Sequence, residues 1–342
     1  MRRKALIGIL ISVVFLYLAL RKVDYAELWF VLRNARWAWV IPNVILAVGA
    51  GMGLRAWRWM LILRPVGRVS YRHALAATMV GFMANNVLPA RLGEIARAVS
   101  IGVLAKLSRS ATFATIIVER IYDSFTLLLI LWLVFSFSRI SELTDVERVR
   151  DVGWIFLAIN IVLVFMLVIL QVRNEAVVHW VERVSRRFSK RIQKLAGEIT
   201  EKFARGLTVH HDARTTVGVV ISSLVLWFIL GASNYFIFLA LGFESLPLEA
   251  SFVLLVVVSL LISVPSSPGY VGVFHYGVVI SLGIYGLNNS EAMAVAILLH
   301  GAQYIPITLL GFYYLKREHL KLRETDETPA ADTVPDADAT AR

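Results

Sequence analysis

A chain of 342 residues that is 58% hydrophobic and only 17% charged is far from a soluble domain, which averages about 45–50% apolar and about 25% charged residues. That balance excludes a soluble globular fold and indicates a polytopic membrane protein. The formal net charge of +11 does not point to nucleic acid, because Lys and Arg fall in short loops between apolar runs, where they set topology and meet anionic headgroups. The absence of cysteine removes disulfides, thiol nucleophiles and Cys-ligated metals.

Residues 5–20 form the first expected span, uncleaved and with its N-terminus in the cytoplasm, since Arg21 and Lys22 close the run without a small-residue cleavage site. Residues 23–39 mix charges with Tyr25, Trp29, Phe30, Trp37 and Trp39, the pattern of an interfacial helix. Residues 37–54 form the second span. Arg55, Arg58, Arg64, Arg68 and Arg72 follow with almost no acids, so they read as a cytoplasmic loop by the positive-inside rule.

The next two apolar segments, 74–83 and 95–107, are each too short to cross: about sixteen residues with their flanks, roughly 24 Å of helix against a ~30 Å core. Between them stands Asn85-Asn86-Val87-Leu88-Pro89-Ala90-Arg91-Leu92-Gly93-Glu94. Pro89 removes a donor and Gly93 admits close approach, so a helix should break here. Free backbone groups at membrane depth survive only inside protein or beside water. The expected element is a re-entrant hairpin opening to the cytoplasm, or otherwise a cytoplasmic loop. Residues 111–138 then cross outward, 139–151 form an outer loop, and 152–171 return.

Residues 173–214 carry many Lys and Arg, with apolar positions three or four apart from Val177 to Phe203, which predicts a basic amphipathic helix on the cytoplasmic face. Residues 215–241 cross out. A second break, Pro265-Ser266-Ser267-Pro268-Gly269, interrupts 250–264 and 270–285, predicting a hairpin entering from the opposite, outer side. Residues 292–315 cross inward to Lys316 and Arg317. The expected fold is therefore all-α, a polytopic membrane helix bundle of about six full spans plus two re-entrant hairpins. It forms a single membrane domain over residues 1–317, with a disordered cytoplasmic tail over 318–342 and both termini cytoplasmic in the cell membrane.

Broken helices that meet near the midplane from opposite faces are a transporter feature. The first break supplies Asn85, Asn86, Arg91 and Glu94, with Arg97 one turn on; Glu94 lies at i,i+3 from both Arg91 and Arg97. Net positive charge and planar guanidinium forks suit a phosphate-bearing group, although an ion-pair cluster that only braces the hairpin uses the same residues. Glu119, Arg120 and Asp123 fall inside a span and must pair, with Arg91 or Arg97 as candidates. The second break offers Ser266, Ser267 and Gly269, then His275, which is either a proton carrier or a neutral hydrogen-bonded imidazole. No nucleotide-binding, zinc-protease or serine-hydrolase motif is present. No metal or cofactor is expected, and the chain is not expected to be an enzyme.

The motifs NNVLPARLGEIARA (85–98), VERIYD (118–123) and PSSPGYVGVFHYG (265–277), in this order and spacing, resemble those of the lysylphosphatidylglycerol synthase transmembrane-region family, flippase-like proteins of bacteria and archaea. The resemblance covers nearly the whole chain to about residue 317. It implies functional positions at Asn86, Pro89, Arg91, Glu94, Arg97, Glu119, Arg120, Asp123, Pro265, Pro268 and Gly269. Family members fused to a cytoplasmic synthase flip an aminoacylated phospholipid; others stand alone beside glycolipid or glycosylation pathways. Two departures matter: Tyr270 and His275 occupy places where the family often has Gly and Glu, and nothing after Arg317 is expected to form a synthase. The resemblance thus implies a translocase for a polar or phosphate-bearing membrane lipid. An intramembrane enzyme or an accessory subunit of polyprenyl-phosphate or glycolipid metabolism is the alternative. A glycosyltransferase or synthase partner, and a homo-oligomer, are compatible with it; nucleic acid is not.

Overall fold

The computed structural model describes residues 2–88, 92–137, 213–263 and 266–320, with positions 154, 158, 161 and 162. Every regular element among them is helical. Helix α1 is Arg2–Leu20 and α2 is Tyr25–Arg33, whose start is fixed by Asp24 accepting from the Ala26 and Glu27 N–H groups. Helix α3, Trp37–Ile62, runs continuously through a π-helical stretch at Ile45–Ala50 just after Pro42; Pro42 lacks the N–H that a regular turn would use. Then come α4 (Tyr71–Val87), α5 (Gly93–Ala105), α6 (Arg109–Phe137), α7 (Ala213–Ala240), α8 (Leu248–Leu261), α9 (Val273–Gly283) and α10 (Asn289–Arg317). Among the described residues, α3, α7 and α10 are long and apolar enough to cross a membrane.

Side-chain contacts sort the connections into two ends. At one end the Asp24 N–H donates to Ser290 Oγ (2.8 Å), Asn288 Nδ2 donates to Glu27 (2.8 Å), and Arg36 pairs with Glu244. At the other, Arg64 donates to Thr215 (3.0 Å) and Arg72 pairs with Glu318 (3.0 Å). Among the described residues, the loops expected outside gather at the first end and those expected inside at the second.

Both broken elements are helix pairs with arms of 17 and 13 residues (α4, α5) and of 14 and 11 residues (α8, α9), all short of the ~20 that a crossing needs. The first opens toward the Arg64 end, where Gly67 meets Leu107; the second opens toward the Glu244 end, where Leu246, Leu282 and Ala292 share one core. Their tips meet beside the middle of α10. There the Tyr304 hydroxyl donates to the Asn86 carbonyl (3.3 Å), and Asn86 Nδ2 donates to Thr308 Oγ1 (2.8 Å). Gly269, in the left-handed region at φ 67°, packs against the Tyr304 ring; a Cβ there would lie 2.7 Å from Cε2. Helix α1 holds the same tip, since the Ser267 N–H donates to Ser12 Oγ (2.8 Å) and Gly272 abuts the Ser12 carbonyl.

One expectation is corrected. The second span does not end at residue 54, because α3 continues to Ile62, and Arg55 and Arg58 are buried inside the bundle rather than exposed in a cytoplasmic loop. The expected outer loop 139–151, returning span 152–171, amphipathic segment 173–214 and tail 318–342 lie outside the described residues, apart from the helical positions 154, 158, 161, 162, 213 and 214 and the stretch 318–320.

Backbone-to-backbone packing of α4 on α5 generates a test. A Cβ on Gly93 would collide with the Gly81 carbonyl and the Asn85 side chain, whereas one on Gly283 meets nothing within 4 Å. Gly93→Ala should therefore cost about 1–3 kcal/mol, the range of an overpacked core, and lower the thermal midpoint in detergent, while Gly283→Ala leaves it unchanged.

Candidate functional site

Helix α6 carries Glu119 and Asp123 one turn apart near its middle, both buried, at 0% and 3% exposure. Such carboxylates cannot remain unpaired in a low-dielectric interior. Two other helices and α6 itself supply the charges that answer them. From α3, Arg58 bridges both, with Nη2 3.2 Å from Glu119 and Nη1 2.7 Å from Asp123, while Arg55 lies 3.7 Å from Asp123. From α5, Arg97 Nη2 lies 2.9 Å from Glu119. From α6 itself, Arg120 reaches Glu119 (3.2 Å) and Asp123 (3.4 Å). Helix α7 adds neutral donors and acceptors: Trp227 Nε1 donates to Asp123 (2.8 Å), and Arg58 Nη1 donates to Ser223 Oγ (2.8 Å).

Aromatic faces carry the charge that the carboxylates leave over. The Arg97 guanidinium stands 3.9 Å from the Trp59 ring centre, and Trp59 is fixed by donating to Thr115 Oγ1 (3.0 Å). Arg55 lies between the rings of Phe82 and Trp227, 5.3 Å from each. A desolvated cation–π contact is worth about 2 kcal/mol, whereas burying each ion costs several kcal/mol, so rings alone do not offset the desolvation. Four guanidiniums facing two carboxylates leave two positive charges in excess. Glu94, within electrostatic range of Arg120, reduces that excess to one. Among the described residues, the Nε groups of Arg55, Arg58, Arg97 and Arg120 have no hydrogen-bond partner. A cluster with surplus charge and free donors is poorly suited to bracing alone and well suited to receiving an anion.

Exposure separates the four. The Arg55, Arg58 and Arg97 side chains are at most 7% exposed, but that of Arg120 is 34% exposed. Arg120 also lies within electrostatic range of Tyr270, at the tip of the second hairpin.

The sequence-predicted residues divide accordingly. Glu94, Arg97, Glu119, Arg120 and Asp123 come together, and Arg97 pairs with Glu119. Asn85 accepts from the Gly93 N–H (2.8 Å), closing the first break, and Asn86 ties it to α10. Ser266 is buried with its hydroxyl lacking a hydrogen-bond partner, while the Ser267 hydroxyl donates to the Val271 carbonyl (3.3 Å). Pro268 starts a 3-10 turn that includes Gly269. His275 lies apart from the arginines, its ring centre 5.1 Å from that of His300 in a cluster with Phe274 and Tyr304. Pro89, Arg91 and Pro265 lie outside the described residues.

Sequence reasoning missed Arg55, Arg58, Trp59, Ser223 and Trp227. The available signal was that Arg55 and Arg58 share a face at i,i+3 with no helix breaker between residue 54 and Pro65; the positive-inside reading overrode it.

Arg58→Ala would leave two carboxylates short of their fully buried shared partner and should lower unfolding free energy by about 3–5 kcal/mol, the cost of breaking a buried pair. Arg120→Ala, at a partly exposed position, should cost only about 1 kcal/mol. Urea titration in mixed micelles, followed by tryptophan fluorescence, checks both.

The sequence pattern of the lysylphosphatidylglycerol synthase TM region matches residues 5–311. The UPF0104 membrane protein MJ1078 of Methanocaldococcus jannaschii is 28% identical over 244 residues, covering 69% of this chain and 96% of that protein. A UPF0104 membrane protein of Methanothermobacter thermautotrophicus is 24% identical over 326 residues, covering 91% and 94%. The protein named glycosyltransferase AglD in Haloferax volcanii is 25% identical over 330 residues, covering 89% of this chain but only 52% of AglD. No solved structure matches. With the motifs, the buried arginines and a pattern spanning nearly the whole chain in agreement, this multi-pass membrane protein belongs to the lysylphosphatidylglycerol synthase TM-region family.

Proposed function

We propose that the protein is a membrane lipid translocase, through which a polar, phosphate-bearing headgroup passes at the junction of two hairpins entering the cell membrane from opposite faces, with both termini cytoplasmic. The observation that carries this reading is the surplus of positive charge at mid-bundle, of which Arg120 is the partly open member. Arg120 and Arg91 are the groups that contact phosphate. Arg97, paired with Glu119 and stacked on Trp59, orients the first hairpin, while Glu94, Glu119 and Asp123 set the local charge. The midplane position fits alternating exposure, since each hairpin leaves from a different end and small tilts of either would open the junction to one side.

A second reading has one observation in its favour. AglD is named a glycosyltransferase, which supports an intramembrane enzyme or accessory subunit acting on polyprenyl-phosphate glycolipids. The two readings separate in reconstituted vesicles. With a fluorescent phospholipid and an impermeant quencher, wild type should speed headgroup transfer, and Arg120→Ala and Arg91→Ala should each abolish it while the protein still elutes as a monodisperse peak. Unchanged transfer in both variants overturns the translocase. Product turnover in detergent, where leaflets do not exist, supports the enzyme.

A further inference from the structure

On the side of α7 away from the arginine network lies an apolar groove of about 600 Å³ between α6, α7 and α8. Leu129 and Leu133 form one wall and Leu224 and Phe228 the other. Phe252 lies across it, with its ring 5.6 Å from that of Phe228 and pressed on the backbone of Gly231, where no larger residue would leave room. This volume is that of a ligand pocket, typically 300–1,000 Å³ with apolar walls and few polar groups. The groove has one polar member, Glu249, at the end where α8 begins. No ion pair engages Glu249 among the described residues. Tyr285, within electrostatic range of Glu249, has a hydroxyl with no hydrogen-bond partner among the described residues.

We propose that this groove binds one hydrocarbon chain of a membrane phospholipid whose headgroup carries an amine, the amine resting on Glu249. Two observations select that occupant. The walls stand at hydrocarbon depth on α6 and α7 and offer no hydrogen bonds, so the bound part is apolar and needs none. Charge complementarity decides the headgroup: the carboxylate at the Glu244 end repels a bare phosphate and attracts an ammonium. The groove belongs to the leaflet that the loops place outside. Binding there stands apart from headgroup transfer at the arginine network, from which buried Leu127, Leu131 and Trp227 divide it.

The test uses the full chain in phosphatidylcholine nanodiscs, with phosphatidylethanolamine or phosphatidylglycerol carrying a photoreactive diazirine in one chain. Peptide mass spectrometry reads the labelled residues. The ethanolamine probe should label residues 129–134 and 224–228 saturably, at about five times the level of the glycerol probe, within reach of a partly exposed ion pair. Glu249→Gln should equalise the two probes while keeping the label in place. Leu133→Trp with Leu224→Trp should abolish it without changing the thermal midpoint; if that double variant fails to fold, Glu249→Gln alone decides. Equal labelling of the groove and of the exposed α10 face at Leu309 overturns the proposal, as does equal use of both probes by wild type. Cysteine crosslinks that seat residues 138–212 in the groove overturn it as well. Since no transfer is measured, failure here leaves the translocase reading intact, and failure of transfer leaves this one intact.

Discussion

The double bridge from Arg58 to Glu119 and Asp123 is the interaction on which the rest of the molecule depends. In water such a pair is worth little, but in a low-dielectric interior an uncompensated charge is expensive, and the geometry must be good to offset the loss of solvent. Fully buried, Arg58 fixes the depth at which α3 meets α6. Arg97 then fixes α5, and through α5 the first hairpin, to Glu119, one of the same two carboxylates. Trp227 and Ser223 bring α7 to the same level. One charge cluster therefore sets the register of four helices that apolar packing alone, non-directional as it is, would leave free to slide.

Small residues and backbone polarity complete what the charges begin. Where α4 crosses α5, Gly81 and Gly93 leave no space for side chains, and Gly311 brings α10 onto Met79 and Met83 in the same way. In membranes such contacts replace the hydrophobic drive that water would provide. Each broken helix also leaves backbone groups that hydrocarbon does not satisfy. Asn85 answers the Gly93 N–H, Tyr304 the Asn86 carbonyl and Ser12 the Ser267 N–H. The breaks are thus built into the bundle on every side.

Two regions of the molecule differ in depth and polarity. The mid-bundle cluster is cationic and aromatic, and its arginine Nε groups have no hydrogen-bond partner among the described residues. The groove on the far side of α7 is apolar with one acid at its rim. Trp227 and Phe228, neighbours in sequence, point to the two different places: the indole donates to Asp123, and the phenyl ring lines the groove.

The sequence by itself determined the elements. A ~20-residue threshold for crossing, two Pro- and Gly-bearing interruptions and the alternation of charged loops were enough to identify two opposed helix pairs, because those signals are local in the chain and the bilayer imposes one length scale. The same patterns singled out Glu94, Arg97, Glu119, Arg120 and Asp123, which the fold brings together. What only the tertiary structure decided was partnership. Arg55 and Arg58 read as topology signals because charge composition cannot tell a loop arginine from one facing two carboxylates more than sixty residues away. The role of Arg97 shifted from open cation to buried brace for the same reason. Pairing across helices depends on rotation and depth, which depend on every contact in the bundle at once.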